Sequence, residues 1–167
     1  QFLDGLALGD CIEVKGPLGH FEYLGGSRYS EGNHSGVCRN FSMVAAGTGI
    51  TPMWQVLSAI LADTENMPRV KLLFANRNED DILLREELDA LAAKHDNFEV
   101  WYTLSGKAPE GWSFSTGRIN EAMLREHIFP AGDETLCLLC GPQGMIDQAC
   151  KPNLLNMGYP ETSMVEF

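Results

Sequence analysis

Basic residues are scarce in this chain, and long apolar runs are missing from it. The 167 residues include 12 Lys and Arg against 23 Asp and Glu, which gives a formal net charge of −11. Nucleic acids and anionic membranes are bound through basic surfaces, so this balance disfavours both kinds of partner. No apolar run approaches the ~20 residues that a membrane-spanning helix needs. We therefore expect neither a nucleic-acid partner nor a membrane partner.

Cysteine and histidine lack the spacing of a disulfide framework or a metal site. The five cysteines are an odd number, which favours a reducing, intracellular setting, and we expect a cytoplasmic protein. The four histidines are scattered without metal-ligand spacing, so we expect no metal site. The chain also lacks the Gly-x-Ser-x-Gly elbow and the Gly-x-x-x-x-Gly-Lys-Ser/Thr loop. These absences disfavour serine-hydrolase and P-loop nucleotidase chemistry.

The residue pattern changes near residue 41. Before it, residues 1–24 carry short β-like runs, notably over 10–14, and residues 25–40 are rich in Gly, Ser, Asn and Arg, which is typical of a loop or linker. After it, apolar runs alternate with helical stretches, which favours an α/β fold: an open parallel five-stranded sheet with helices on both faces. The predicted strands cover residues 41–46, 70–75, 98–104, 135–139 and 163–167. The predicted helices cover residues 53–62, 80–95, 121–128 and 145–157.

A glycine turn follows the first predicted strand of this sheet. Residues 47–53 read Gly-Thr-Gly-Ile-Thr-Pro-Met, and Thr51 and Pro52 suit the N-cap and the first turn of a helix. Backbone N–H groups at such a turn suit a pyrophosphate, and glycines at 47 and 49 would let the backbone approach it. The usual dinucleotide fingerprint is incomplete, because Pro52 stands where its third glycine would be. A phosphate-binding loop and a purely structural tight turn both remain open.

Cys140 follows the fourth predicted strand, where its side chain would face the crevice at the carboxyl edge of the sheet. Ligands bind at that edge in open α/β folds. A buried structural cysteine is the alternative, because free cysteine is among the most buried residue types. The Cys137-x-x-Cys140 spacing suggests a redox pair or a metal site, but residues three apart in a strand point to opposite faces. A shared disulfide or metal ion is therefore disfavoured.

The glycine turn, the segment Cys140-Gly141-Pro142 and their spacing resemble one known family. The chain is similar to the pyridine-nucleotide half of the ferredoxin–NADP reductase superfamily, on its cytochrome b5 reductase branch. The matching stretches cover most of the chain and include residues 16–23, 46–53, 74–77, 79–88 and 100–104. Other stretches resemble, within that branch, eukaryotic assimilatory nitrate reductases, namely residues 76–77, 79–81, 110–112 and 124–127.

This resemblance implies an NAD(P)H-dependent oxidoreductase in which NADH or NADPH passes a hydride to FAD. Electrons would then pass to a b-type haem and to a molybdenum cofactor that reduces nitrate to nitrite. Cys140 would position the nicotinamide as a packing neighbour rather than as a nucleophile, and Thr51 would lie near the junction of nicotinamide and flavin. The other expected cofactor-binding residues are Gly47, Thr48, Gly49, Ile50, Pro52, Ser105, Gly141, Pro142 and Met145.

The same resemblance divides the chain into three parts. Residues 1–24 would be the C-terminal remnant of an FAD-binding β-barrel, residues 25–40 a linker or loop, and residues 41–167 the NAD(P)H-binding domain. The family's flavin-binding Arg-x-Tyr-Ser/Thr stretch is absent, so we expect a fragment that does not hold FAD alone. Its partners would be the FAD and haem domains of the same polypeptide, in a parent protein that dimerises through other domains.

Ser105 is a departure from the family pattern, because members that prefer NADH usually carry Asp there. An acid would accept hydrogen bonds from the adenosine ribose and repel a 2′-phosphate, whereas serine removes the repulsion. We therefore expect NADPH to be accepted. Three alternatives remain open: a stand-alone cytochrome b5 reductase, a non-catalytic nucleotide-binding module, and a thiol-redox protein that uses Cys137 and Cys140.

Overall fold

The computed structural model describes residues 2–16 and 18–167, in which a parallel sheet is flanked by a smaller antiparallel sheet. Gln1 and Pro17, which fall in the predicted barrel remnant, lie outside the described residues. The smaller sheet has three strands in the order β1-β2-β3. Its strands are β1 (Phe21–Gly25), β2 (Arg28–Glu31) and β3 (His34–Val37).

The main sheet has six strands in the order β7-β6-β5-β4-β8-β9, all paired in parallel. This confirms the predicted open parallel sheet, with one strand more than the five predicted. The additional strand, β7, has only two residues, which is too short to show a periodic pattern. The strands are β4 (Asn40–Ala46), β5 (Arg69–Asn76), β6 (Phe98–Leu104), β7 (Ser115–Thr116), β8 (Thr135–Cys140) and β9 (Met164–Glu166).

Helices pack on both faces of the main sheet, as predicted. They are α1 (Ile50–Ala62), α2 (Arg85–Lys94), α3 (Glu121–His127), α4 (Gln143–Met145) and α5 (Lys151–Asn156). A π-helical turn, Ile146–Cys150, joins α4 to α5. Short 3₁₀ turns cover Leu3–Gly5, Gly47–Gly49, Glu79–Asp81 and Glu161–Ser163. Among the described residues no helix has the length and apolar composition needed to cross a membrane.

The core lies on both faces of the sheet, because successive side chains of each parallel strand are buried on opposite sides. On one face Met43 and Phe74 pack with Leu57 of α1. On the other face Val44 and Leu139 belong to a second buried cluster, which includes residues of α3 and α5. Such double burial explains why these strands are continuous apolar runs in the sequence.

Two predictions about the first 40 residues are wrong. No strand forms over residues 10–14, since the first strand begins at Phe21. Residues 25–40 are not a loop, because they contain β2 and β3. Glycine-rich turns join these strands, and Gly26 and Gly32 adopt φ of +60° and +56° there. The glycines therefore mark tight turns of an antiparallel sheet rather than a linker.

Two helix starts also differ from the prediction. The helix predicted from residue 80 begins at Arg85, because Leu84 has a left-handed φ of 56°. The preceding acids instead form a 3₁₀ turn, in which Asn78 and Asp81 make a reciprocal capping box. The helix after the glycine turn begins at Ile50, so Thr51 is not its N-cap. Its hydroxyl donates to the Thr48 carbonyl oxygen at 2.9 Å instead.

The strand order contains a switch of direction beside β4. From β4 the chain builds the sheet outward through β5, β6 and β7, and it then returns to add β8 on the other side of β4. In open α/β sheets, ligands bind at the carboxyl ends of the strands where the order reverses in this way. The glycine turn after β4 and Cys140 at the end of β8 meet at that point.

Candidate functional site

A cleft of about 1170 Å³ lies at the carboxyl edge of the main sheet. It brings together most of the residues predicted to form the site. These are Gly47, Thr48, Gly49, Thr51, Ser105, Cys140, Gly141, Pro142 and Met145. Two predicted residues are placed elsewhere: Ile50 is fully buried in the core, and Pro52 is not part of the cleft lining. Both still belong to α1, whose N-terminus is formed by this turn.

The glycine turn faces the cleft with the N-terminus of α1. Gly47 has a φ of +53°, a conformation that favours glycine, and it allows the chain to turn sharply after β4. Gly47–Gly49 then form a 3₁₀ turn that runs directly into the 13-residue helix. Gly49 and Thr51 both line the cleft, so the positive end of the helix dipole is at its wall. This arrangement favours an anionic group such as a phosphate.

Close backbone packing holds the turn against the end of β8. A Cβ atom added at Gly49 would lie 2.2 Å from the carbonyl oxygen of Cys140. A Cβ atom added at Gly141 would lie 2.7 Å from the Met145 Cε atom and 3.1 Å from the Ala46 Cβ atom. The two glycines are therefore required for contact between the two halves of the site. The glycine turn and the end of β8, which the sequence predicted to be close together, are packed directly against each other.

Cys140 is half-buried at the end of β8, where it is paired with Ala45 of β4. Its thiol lies 3.9 Å from the carbonyl oxygen of Phe167, to which it donates. Burial raises the pKa of the Cys140 thiol, and the negative charge of Glu166 raises it further. The thiol is therefore neutral near neutral pH, which suits a packing neighbour and does not suit a nucleophile.

Cys137 lies on the opposite face of the sheet from Cys140, as the strand pattern predicts. It is fully buried in the cluster that also contains Cys150, and burial raises the pKa of its thiol well above the usual value. All five cysteines are free thiols. Within residues 2–16 and 18–167 no group of three or more His, Cys, Asp or Glu side chains could hold a metal ion. A redox pair of Cys137 and Cys140 has no support in this geometry.

Ser105 lies at the cleft where β6 ends, and β5 holds it there. Its backbone N–H donates to the carbonyl oxygen of Asn76 at 2.9 Å, and its hydroxyl lies 3.4 Å from the same oxygen. The next residue is also closely packed, because a Cβ atom at Gly106 would lie 2.6 Å from the Arg77 carbonyl oxygen. The hydroxyl of Ser105 is thus fixed at the rim of the cleft by the backbone of the neighbouring strand.

Two arginines that the sequence reasoning missed also line the cleft. Arg77 directly follows β5, and Arg118 follows β7; both are exposed. Gly117, with a φ of +99°, donates its N–H to the Leu104 carbonyl oxygen at 2.7 Å and thereby places Arg118 beside the end of β6. In a chain with a net charge of −11, two guanidinium groups at one cleft favour an anionic ligand. The sequence signal for Arg77 is a basic residue just after a predicted strand, whereas Arg118 has no such signal because the two-residue strand β7 could not be predicted.

Comparison with known proteins identifies similar chains for both the sequence and the structure. The family model described as "Oxidoreductase NAD-binding domain" matches residues 43–151, which is more than half of the chain. The cytochrome b5 reductase domain of Ulva prolifera nitrate reductase has 40% sequence identity and a TM-score of 0.95. That match covers 99% of this chain and 64% of the Ulva chain.

Curated plant proteins are similar over almost the whole sequence. A nitrate reductase [NADH] of Phaseolus vulgaris is 48% identical over 159 residues, which are 95% of this chain and 18% of the bean protein. A nitrate reductase [NAD(P)H] of Betula pendula is 47% identical over 168 residues, which are 100% of this chain and 19% of the birch protein. The chain thus spans about a fifth of the length of these relatives. These similarities confirm the resemblance inferred from the glycine turn and the Cys140 segment.

Proposed function

This chain belongs to the family of oxidoreductase NAD-binding domains, and we propose that it positions NADH or NADPH for hydride transfer to FAD in a nitrate reductase. One observation carries the proposal: the glycine turn and Cys140 are packed together at the switch point of the sheet. Similarity to plant nitrate reductases over 95% of the chain supports the same reading.

The residues of the cleft fit a pyridine dinucleotide. The glycine turn and the N-terminus of α1 provide backbone dipoles for its two phosphates, and Arg77 and Arg118 provide positive charge. The cleft, at about 1170 Å³, is large enough for an extended ligand of this kind. We propose that Thr48, Gly141, Pro142 and Met145 complete its walls.

Cys140 would act through position and shape. When bound, the reduced nicotinamide supplies the hydride that FAD accepts, so the protein's contribution is orientation and exclusion of water. The half-buried, neutral thiol of Cys140 offers a polarizable surface against which a ring can pack. Thr51 lines the same cleft, and its hydroxyl donates to the Thr48 carbonyl oxygen. Neither residue needs to transfer a proton for this role.

The remaining steps belong to other parts of a longer polypeptide. We propose that FAD is held mainly by a domain outside this chain, and that electrons then pass to a haem domain and a molybdenum centre where nitrate is reduced to nitrite. Residues 1–24 would be the remnant of the FAD-binding barrel and residues 41–167 the NAD(P)H-binding domain, with the antiparallel strands β2 and β3 between them. We further propose a cytoplasmic parent protein that dimerises through other domains.

Cofactor preference is a separate part of the proposal. Ser105 carries no charge, and the cleft lining holds two guanidinium groups, Arg77 and Arg118, against one carboxylate, Asp81, so the charge balance favours a 2′-phosphate. We therefore propose that NADPH is accepted as well as NADH. The similar birch protein carries the name nitrate reductase [NAD(P)H], which supports dual use.

A reductase that contains this chain and its flavin domain tests the proposal. That protein should bind FAD and reduce ferricyanide with NADH or NADPH, and addition of its haem and molybdenum domains should give nitrate-dependent oxidation of the nucleotide. Activity with ferricyanide and none with nitrate would instead identify a stand-alone reductase. Nucleotide binding without any acceptor reduction would identify a non-catalytic module.

A further inference from the structure

Asn76, the last residue of β5, has a buried side chain without a hydrogen-bond partner. The residue is 7% exposed, and it lines the cleft. Within the part of the chain that the structure describes, neither its Oδ1 nor its Nδ2 atom has a partner. No other side chain of the described residues has buried, unpartnered nitrogen or oxygen atoms. Burial of an amide without partners is unfavourable, and such a group in a folded protein requires an explanation.

The position of Asn76 in the sheet places it between the glycine turn and Ser105. In the parallel register Ala75 pairs with Ala46, so Asn76 is level with Gly47, the next residue along β4. On its other side Asn76 pairs with Leu104, the residue before Ser105. Its own backbone carbonyl oxygen accepts the Ser105 N–H. Asn76 therefore occupies the middle of the cleft floor.

The same register separates Asn76 from Cys140. The strand order β5-β4-β8 places two strand spacings between their ends, roughly 9–10 Å. A ligand group that packs on Cys140 is therefore out of reach of the Asn76 side chain. A group that lies between the glycine turn and Ser105 is within reach. For a dinucleotide whose nicotinamide is at Cys140, that group is part of the adenosine half.

We propose that Asn76 is a nucleotide-binding residue for the adenosine half of the dinucleotide. This inference rests on the proposed function. Its Nδ2 group would donate to a ribose–phosphate oxygen, and its Oδ1 atom would accept from a ribose hydroxyl group. The side chain reaches the ligand by rotation about its own torsions, which breaks no hydrogen bond because it makes none in the free protein. Ligand binding then satisfies an amide that folding leaves unsatisfied.

This role has a signature that a structural role lacks. Replacement of a buried, unpartnered amide by an apolar group of similar shape removes an unfavourable burial, so the free protein should be as stable as before or more stable. Nucleotide affinity should fall at the same time, as expected where stability has been given up for function. If Asn76 were instead a structural residue, its replacement would lower the stability of the free protein and leave the nucleotide affinity unchanged.

The test compares Asn76→Leu and Asn76→Ala with the wild-type chain. Titration calorimetry with ADP-ribose and with nicotinamide mononucleotide measures affinity, and thermal unfolding without ligand measures stability. We expect the Kd for ADP-ribose to rise about tenfold or more, as the loss of hydrogen bonds to a charged ligand predicts. We expect the affinity for nicotinamide mononucleotide to be unchanged. At least one of the two variants should keep or exceed the wild-type Tm.

Ser42→Ala is the matched control. Ser42 is also fully buried, but its hydroxyl is 3.1 Å from the Tyr159 hydroxyl and accepts the Phe129 N–H at 3.2 Å. Its replacement should lower the Tm by about 2 °C or more and leave the Kd for ADP-ribose unchanged. A Kd for ADP-ribose within twofold of wild type in both Asn76 variants overturns the proposal, and so does a lower Tm in both. If the wild-type chain binds neither NADH nor ADP-ribose, the proposed function is itself refuted, together with the role of Asn76.

Discussion

The backbone of Gly49 lies against the carbonyl group of Cys140, so closely that a Cβ atom there would be 2.2 Å from the carbonyl oxygen. The glycine turn and the thiol-bearing strand are thus in direct contact, although they are about ninety residues apart in sequence. Because backbone atoms have little freedom to move, this contact fixes the position of the turn relative to the end of β8. The site is preorganised by main-chain packing.

Replacement of Gly49 by alanine should disturb both stability and nucleotide binding. The added methyl group meets backbone rather than a flexible side chain, so we expect a loss of about 1–3 kcal/mol in the free energy of unfolding. Thermal unfolding should show a Tm lower by several degrees, at about 2–4 °C per kcal/mol. Gly144→Ala is the control, because a Cβ atom there meets nothing within 4 Å and its Tm should be unchanged. Equal Tm values for both variants would contradict the close approach.

Replacement of Cys140 by serine should slow hydride transfer without a large loss of stability. Serine is smaller and less polarizable, so the nicotinamide would be less well positioned, and we expect kcat for ferricyanide reduction to fall about 10- to 100-fold. The measurement uses the reductase loaded with FAD. Cys137→Ala is the control, since this residue lies on the opposite face of the sheet. Loss of activity in the control would support the thiol-redox alternative instead.

The neutral thiol of Cys140 predicts a particular pH profile. Burial and the charge of Glu166 raise the pKa of the thiol above its usual value of 9.0, so the protonated form persists at and below that pH. No thiolate should therefore form between about pH 6 and 8. Any inflection of kcat in that range should be the same in the wild type and in Cys140→Ala. An inflection removed by this substitution would show that a thiolate takes part in the reaction.

Ser105→Asp should separate NADPH from NADH. A carboxylate at the end of β6 would repel a 2′-phosphate, so we expect the kcat/KM ratio of NADPH to NADH to fall about tenfold or more. Ser105→Ala is the control, because it removes the hydroxyl group without adding charge, and it should change the ratio little. Arg118→Ser should lower kcat/KM for NADPH, because it removes positive charge from the same cleft. A tenfold or greater preference of the wild-type reductase for NADH would contradict the proposed dual use.

Asp63 links the small sheet to the end of α1 and should contribute to acid sensitivity. Its carboxylate accepts hydrogen bonds from the N–H groups of Glu65 and Gly26 and from the Tyr23 hydroxyl, and these lower its pKa below the usual 3.8. A lowered pKa means that the stabilisation is present above the unfolded-state value and is lost as the pH falls through the folded-state value. The Tm difference between wild type and Asp63→Asn should therefore be largest near pH 7.

The same difference should shrink as the pH falls below about 4. Thermal unfolding at pH 7 and at pH 3 measures it. Tyr23→Phe removes one of these hydrogen bonds, so its Tm at pH 7 should differ from that of the wild type by less than the Tm of Asp63→Asn does. A Tm difference that is the same at both pH values would show that the charge of Asp63 is not involved.

Much of the main sheet could be predicted because its strands carry a local signal. The strand Phe98–Leu104 is mainly apolar, with one exposed charge at Glu99 and full burial over Tyr102–Leu104, and its predicted bounds agree with the structure. By contrast, β7 has two residues and exists through its pairing with Thr103 and Leu104, which no local pattern encodes. The strands β2 and β3 were missed for a related reason, because an antiparallel sheet with many turn residues has the composition of a loop.

The candidate site also has a part that the sequence indicated and a part that only the structure shows. The glycine turn and Cys140 left a structural explanation open when each was taken alone, and it was their spacing and the family resemblance that indicated a nucleotide site. The roles of Asn76 and Arg118 were not visible there. They depend on which strands are neighbours, because burial without a partner and position at a cleft are properties of the packed sheet.

The amino-acid sequence by itself determined the order of the longer strands and helices of the main sheet and the chemical groups available for binding, since both depend on residue type and local spacing. Only the tertiary structure decided that Gly49 contacts Cys140, that β4 is the switch point, and that Asn76 lies beneath the cleft. The physical reason is that contacts between distant strands follow from sheet order and register, and these are set by the packing of the whole core.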